Sequence, residues 1–237
     1  MYDAYTYAYG FDWTYLLLIV AAIFSLIAQT KVKSTYNKYS KVRSMTGMTG
    51  REAAERILAH KGIRNVEIRH VSGTLTDHYN PANNTVNLSD AVYNSASVAA
   101  VSVAAHECGH VMQHHEDYTP ILIRSKLVPI ANFGSYAAWP LILLGLFFGG
   151  GTSTLLIEIG ILLFSASVLF QLVTLPVEFD ASARADRTLQ ELGILSHEEA
   201  KMTKKVLGAA ALTYVAAAAT AIIQLLRLLL ILNRRRD

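Results

Sequence analysis

Four long apolar runs are spaced along the chain, with one polar stretch between the first run and the second. The first run extends from Trp13 to about Gln29, and at about 1.5 Å per helical residue it approaches the roughly 30 Å of bilayer hydrocarbon. A second run covers residues 130–148 and a third covers residues 154–175, joined by an uncharged glycine-rich turn. The pattern predicts a membrane anchor followed by a transmembrane hairpin.

The last run, from Val206 to Leu232, allows two placements. It is interrupted by Gln224 and Arg227 and is followed by three arginines at positions 234–236. If the run crossed the membrane, these arginines would lie outside the cell, against the usual preference of basic residues for the cytoplasmic side. An interfacial or core-packed helix would keep them at the cytoplasmic surface. The sequence therefore predicts three to four transmembrane helices.

Basic residues directly after the first run indicate the orientation of the chain. They are Lys31, Lys33, Lys38, Lys41 and Arg43. Residues 1–12 contain two aspartates but no lysine or arginine, which disfavours the alternative of a cleaved signal peptide. The positive-inside rule then places the basic residues in the cytoplasm. We expect a multi-pass protein of the plasma membrane in which the polar stretch after the first run faces the cytoplasm.

The polar stretch from Met45 to Lys126 predicts a small domain of helices and strands. Thr49 and Glu52 have the spacing of a capping box, which indicates a helix to about His60. Three segments then alternate apolar and polar residues and predict a small antiparallel sheet: Asn65–Val71, Thr74–Tyr79 and Thr85–Leu88. From about residue 97 to 115 apolar residues recur at helical spacing, which predicts a longer helix.

The composition argues against several classes of protein. Hydrophobic residues make up 52% of the 237 residues and charged residues only 16%, whereas about 25% is usual in soluble domains. The net charge of +3 and the absence of a basic run interleaved with aromatics argue against nucleic-acid binding. The single cysteine, Cys108, excludes a disulfide framework and a cysteine-rich zinc module. A metal ion would therefore need histidine and carboxylate ligands.

The predicted helix at 97–115 carries the motif His106-Glu107-Cys108-Gly109-His110. Two histidines four residues apart project from one face of a helix and can share a zinc ion, with the intervening glutamate beside it. Zinc lowers the pKa of bound water to about 7, so that a carboxylate base can deprotonate it for attack on an amide. The motif predicts peptide hydrolysis, with His106 and His110 as ligands and Glu107 as the base.

A hydrolytic zinc site needs a third protein ligand. The metzincin arrangement is excluded, because Gln113 and Glu116 stand where that motif has glycine and histidine. The segment after the third apolar run returns to the side of the zinc helix, and we expect a new helix there that begins near Pro176. It offers Glu178 as the ligand. On the same helical face, Ser182 or Asp186 could orient a zinc-bound imidazole.

These assignments predict an α+β membrane protein that is mainly helical, with a small antiparallel sheet and a His-Glu-x-x-His helix. The predicted organisation is an N-terminal anchor at 1–30, a cytoplasmic metalloprotease domain at 31–128 with the zinc helix at 97–115, a transmembrane hairpin at 129–176, a third-ligand helix region at 177–205 and a C-terminal apolar helix at 206–237.

Four segments of the chain resemble a known family. They are Leu75-Thr76-Asp77-His78-Tyr79, Ala104 through His110, Leu175-Pro176-Val177-Glu178-Phe179 and Ala210 through Ala217. Together they are similar to the bacterial neutral zinc metallopeptidases of the YugP type, membrane relatives of the gluzincins, over nearly the whole chain. The resemblance implies one zinc ion held by His106, His110 and Glu178, with Glu107 as base and a cytoplasmic site. HtpX-type proteases are also similar, but Ser182 replaces the aspartate of their pattern.

The leading hypothesis is a membrane-anchored zinc endopeptidase that cuts cytoplasmic or membrane-proximal protein segments. A peptide substrate would add as a strand along an edge formed by Thr74–Tyr79 or Thr85–Leu88. Candidates for stabilising the oxyanion are His78, Arg184 and Tyr214. The alternatives are an intramembrane-cleaving metalloprotease and a noncatalytic metal-binding scaffold. The expected partners are a protein or peptide substrate and the lipid bilayer, without nucleic acid; the sequence leaves the oligomeric state open.

Overall fold

A computed structural model of the chain describes residues 14–148 and 151–236. The start of the first apolar run at Trp13 and the glycines at 149 and 150 of the hairpin turn lie outside these ranges. The described elements are α1 (Thr14–Tyr39), α2 (Gly50–His60), β1 (Glu67–Val71), β2 (His78–Asn80), β3 (Thr85–Ser89), α3 (Val98–His115), α4 (Thr119–Phe147), α5 (Gly151–Glu191) and α6 (His197–Arg236). The predicted fold class is confirmed, since the molecule is mainly helical with one small sheet.

Within the described ranges, four helices are long and apolar enough to cross a membrane, namely α1, α4, α5 and α6. In α1 the large apolar side chains point outward, and Leu16, Val20 and Leu26 are 51%, 59% and 64% exposed. Exposing such an apolar surface to water is unfavourable, whereas its contact with lipid tails is not. The exposed apolar faces therefore indicate a protein that sits in a bilayer.

The predicted hairpin is formed by α4 and α5, which pack together through small residues. A Cβ on Gly134 would lie 2.5 Å from the Leu163 carbonyl oxygen, so only glycine permits this approach. Ser135 and Ser167 share a hydrogen bond of 2.6 Å across the same interface. Small residues and hydroxyl hydrogen bonds are typical of helix pairs in membranes.

The C-terminal helix α6 pairs with α1 along its apolar half. Ser25 and Thr220 hydroxyls lie 3.2 Å apart, and the Arg227 Nε donates to the Thr14 hydroxyl at 3.3 Å. Because the residue numbers run in opposite directions, the two helices are antiparallel. The apolar half of α6 therefore lies at the same level as the first apolar run.

The sheet has the order β1–β3–β2, and its pairing differs from the prediction. β2 pairs with β3 antiparallel as expected, but β1 pairs with β3 in parallel, with Glu67 opposite Thr85. The chain between β1 and β3 crosses over and includes β2, so β3 becomes the central strand. The prediction that Thr85–Leu88 is an edge is therefore wrong. Of the other predicted edge, Thr74–Tyr79, only His78 and Tyr79 belong to a strand, β2, and this strand does lie at an edge.

Side chains cap the first turns of two helices in the polar domain, and the first of these caps is the one predicted from the sequence. The capping box of Thr49 and Glu52 is formed at the start of α2. α3 begins after Ser97, whose hydroxyl accepts from the Ala100 amide at 3.2 Å. These side chains satisfy amide donors that the first turn of a helix leaves without partners.

The helix expected to begin at Pro176 is instead the continuation of the third apolar helix. α5 is continuous over 41 residues, with Pro176 inside it. Proline removes one backbone donor from a helix, but packing against neighbouring helices keeps the part of α5 around Pro176 helical. One continuous helix therefore contains both the third apolar run and Glu178, and it connects the membrane region to the polar domain.

The helix α3 lies at the centre of the core of the polar domain, between α2, the sheet, α5 and α6. Its approach to α5 depends on Gly109, where a Cβ would lie 2.5 Å from the Ala181 carbonyl oxygen. Any larger residue there would push the two helices apart. This contact sets the distance between the histidines on α3 and the acidic residues on α5.

Candidate metal centre

The two motif histidines project from one face of α3, as their four-residue spacing predicts. The ring centroids of His106 and His110 are 4.8 Å apart, and the side chains are 13% and 12% exposed. The Nε2 atoms of both rings face the same point. That point is occupied by a carboxylate oxygen from α5.

This carboxylate belongs to Glu178, whose side chain is 2% exposed. Its Oε2 lies 3.3 Å from His106 Nε2 and 3.5 Å from His110 Nε2, and the three ligand atoms lie within 4.8 Å of one another. Among the described residues, Oε2 has no hydrogen-bond partner although it is buried. A buried, unpartnered carboxylate oxygen between two imidazoles suits a cation, and two histidines with one glutamate are a zinc donor set.

Both imidazoles are oriented through their other nitrogen. His106 Nδ1 lies 3.2 Å from the Ser182 hydroxyl, and His110 Nδ1 lies 3.0 Å from the Gln113 Oε1. Such contacts leave the Nε2 lone pairs directed at Glu178. Of the two predicted orienting residues, Ser182 contacts a ring, whereas Asp186 lies 3.5 Å from Lys204.

Sequence reasoning missed the role of Gln113. Its amide nitrogen donates to the Val177 carbonyl at 2.7 Å and to the Asp180 carboxylate at 2.8 Å. The same Asp180 accepts from Arg184 Nε at 2.5 Å. Because Gln113 follows His110 by three residues, helix geometry could have indicated a contact between them. The glutamine thereby fixes His110 to the segment that carries Glu178.

Glu107, between the two histidines, is 7% exposed and faces the sheet. Its Oε2 accepts from the Tyr79 backbone amide at 2.9 Å, so one carboxylate oxygen is held against the edge strand β2. Asp77 lies nearby and accepts from the Ser89 amide at 2.7 Å. Burial raises the pKa of Asp77, and the negative charge of Glu107 adds to this effect, although hydrogen bonds from Ser89 oppose it.

A cavity of about 600 Å³ opens beside Glu107 and His106. Its walls come from the end of α1, the loop before β2, the zinc-motif helix α3 and the first half of α6. The polar groups on its walls include Lys33, Asp77 and Tyr214. The cavity is therefore large enough for several side chains of a peptide and reaches the candidate metal site.

The structure separates the three candidates for stabilising an oxyanion. His78 contacts the Thr76 carbonyl oxygen at 2.9 Å through Nδ1, and Arg184 is held in ion pairs with Asp180 and Glu116. Tyr214 lines the cavity together with His106 and Glu107.

Comparison with known proteins supports the chemistry of this cluster. Residues 14–233 match the family model described as "Putative neutral zinc metallopeptidase". The chain is 48% identical over 224 residues to "Putative membrane protease YugP" of Bacillus subtilis (strain 168), covering 94% of this chain and 98% of the relative. No solved structure matches the chain. The predicted resemblance is confirmed, and this family implies zinc as the metal.

The contacts of Gln113 generate a prediction about zinc affinity. Gln113→Ala should weaken zinc binding by about 10- to 100-fold, because His110 loses the group that orients its ring. Competition with a chromophoric chelator measures this change. The control is Gln190→Ala, an exposed glutamine on α5. Equal affinities of the two variants would contradict a positioning role for Gln113.

Proposed function

Because the chain belongs to this neutral zinc metallopeptidase family, we propose that it is a membrane-anchored zinc endopeptidase with Glu107 as its catalytic base. The observation that carries the proposal is the convergence of His106, His110 and Glu178 Oε2, with His106 and the neighbouring Glu107 lining a cavity. The substrate is a protein or peptide segment near the membrane surface.

His106, His110 and Glu178 would hold one zinc ion. Zinc supplies Lewis-acid chemistry, since it lowers the pKa of water and polarises a carbonyl group. Glu107 accepts the proton of the attacking water on the carboxylate oxygen that the Tyr79 amide does not hold, and then passes it to the leaving amine. The backbone contact to Tyr79 keeps the carboxylate pointed into the cavity.

We propose that Tyr214 stabilises the negative charge that develops on the carbonyl oxygen. A phenolic hydroxyl is a hydrogen-bond donor, and a donor aimed at developing charge in a water-poor site lowers the barrier. Tyr214 lines the cavity from α6, as His106 and Glu107 line it from α3. The C-terminal helix is therefore part of the active site as well as of the membrane region.

The peptide would lie beside β2. This strand is at the edge of the sheet, and its residue Tyr79 contacts Glu107 directly. An extended segment added to such an edge gains backbone hydrogen bonds, while side chains enter the cavity. The remaining edge strand, β1, lies on the far side of β3 from β2.

The alternative of an intramembrane-cleaving protease is less well supported. α3 is not among the four described helices that are long and apolar enough to cross a membrane. It is packed within the polar domain, and Glu178 lies just beyond the apolar part of α5. We therefore place the cleavage site at the membrane surface. A noncatalytic scaffold would gain nothing from a carboxylate base next to an open cavity.

We further propose that the active site faces the cytoplasm and that α6 crosses the membrane. The support is the antiparallel pairing of α6 with α1, which puts Arg227 at the level of Thr14. The three terminal arginines would then lie outside. The opposite ends of these helices carry more basic residues, including Lys31, Lys204 and Lys205, which favours the cytoplasm for that side.

Replacing the base and replacing the third ligand should have different effects. Glu107→Gln should keep zinc and lower turnover by at least about 100-fold, because it removes only proton transfer. Glu178→Ala should lower both zinc content and turnover. Zinc analysis and cleavage of a protein substrate by the purified full chain measure the two effects. Glu191→Ala, an exposed glutamate on α5, is the control, and full zinc with normal turnover in Glu178→Ala would contradict the assignment.

Tyr214→Phe should lower kcat by about 100- to 1000-fold and leave zinc content and KM nearly unchanged, since the lost hydrogen bond forms only as charge develops. Steady-state kinetics with metal analysis measure this. Tyr93→Phe, in the polar domain away from the cavity, is the matched control. A normal kcat in Tyr214→Phe would remove this residue from the mechanism.

The topology gives a separate prediction. A cysteine reporter at Asn83, in the exposed turn between β2 and β3, should be protected from an impermeant thiol reagent in intact cells. A tag after residue 237 should be reached from outside. Labelling at Asn83 without permeabilisation would overturn the cytoplasmic orientation, and protection of the tag would overturn the crossing by α6.

A further inference from the structure

Two cavities outside the candidate active site meet over Gly208 of α6. One is basic and lies between α1 and α6, and the other is mostly apolar and lies between α5 and α6. We propose that together they bind one anionic phospholipid, with its phosphate headgroup in the basic cavity and an acyl chain in the apolar cavity. This inference does not depend on the proposed catalytic activity.

The basic cavity has a volume of about 510 Å³. Four lysines line it, namely Lys31, Lys38, Lys204 and Lys205. No carboxylate of the described residues is part of its lining, although Lys204 also lies 3.5 Å from Asp186 outside it. Lysine ammonium groups attract phosphate strongly. Four such groups around one cavity therefore call for an anionic ligand.

The apolar cavity has a volume of about 440 Å³. Its apolar walls include Phe179 and Ala183 of α5 and Leu207, Ala211 and Val215 of α6, and its polar lining consists of Ser182, Asp186 and Lys204. An acyl chain fits these apolar walls, because its binding would bury apolar surface of both the chain and the cavity. A free phosphate ion would leave this second cavity unused.

The two cavities share Lys204, Gly208 and Leu212, which follow one another at four-residue spacing along one face of α6. A Cβ on Gly208 would meet nothing within 4 Å. Because Gly208 has no side chain to separate the two cavities, a single amphipathic molecule can occupy both of them.

The lysines lie where lipid phosphates are expected. Lys31 follows the first apolar run of α1 almost directly, and Lys205 stands immediately before the apolar part of α6, which begins at Val206. Basic pockets between membrane helices at this level are suited to anionic headgroups. The position, the charge and the adjoining apolar cavity together favour a lipid over a soluble anion.

The site also adjoins the candidate metal centre. Ser182, which contacts His106 Nδ1, is part of the lining of the apolar cavity. Leu207 lines both this cavity and the one beside Glu107. A bound acyl chain would therefore pack against residues that support the active site.

The test uses the purified full chain in neutral detergent, with binding of short-chain phosphatidylglycerol and phosphatidylcholine measured by native mass spectrometry. Lys31→Gln/Lys205→Gln should weaken phosphatidylglycerol binding roughly 25-fold, about fivefold for each lysine removed near an anionic headgroup. The control is Lys41→Gln/Lys126→Gln, which removes the same charge from two exposed lysines outside the cavity. Its binding should change by less than about twofold, and phosphatidylcholine should bind weakly to all variants.

A second variant, Gly208→Leu, fills the junction of the cavities and leaves every lysine in place. It should weaken phosphatidylglycerol binding while inorganic phosphate binds as before. Equal losses in the two lysine pairs would show diffuse electrostatic attraction and overturn the proposal. Inorganic phosphate that displaces the lipid at equal concentration would also overturn it, because the site would then recognise a free anion.

Discussion

The carboxylate of Glu178 is buried against two imidazole rings, and this contact joins a helix of the polar domain to a helix of the membrane region. A buried charge of this kind is unfavourable unless a cation or several donors compensate it. The close packing of α3 on α5 at Gly109 and the unbroken course of α5 both serve to bring these groups together.

Much of the fold could be predicted because it depends on local patterns. Apolar runs of sufficient length form helices in a membrane whatever their neighbours, and the capping signal at Thr49 acts within a single turn. The spacing of His106 and His110 likewise fixes their common face. Glu178 is 68 positions from His110, and its placement could be predicted only because the hairpin returns the chain to the same side and because the segment resembles a known family.

The remaining features depend on contacts between distant segments. Alternation of apolar and polar residues indicates strands but not their order, so the parallel pairing of β1 with β3 could not be predicted. A proline is common in the first turn of a helix, so Pro176 indicated a helix start. Only packing in three dimensions keeps α5 continuous at this residue. Helix geometry could have predicted the contact of Gln113 with His110, but not the hydrogen bond of Gln113 to Asp180.

We propose that three side chains from two helices hold one zinc ion. Anomalous X-ray scattering at the zinc absorption edge, from crystals of the zinc-loaded full chain, locates the ion directly. We expect a single peak within about 2.0–2.2 Å of His106 Nε2, His110 Nε2 and a Glu178 carboxylate oxygen. A peak elsewhere, or a peak on the two histidines with Glu178 out of reach, would contradict it.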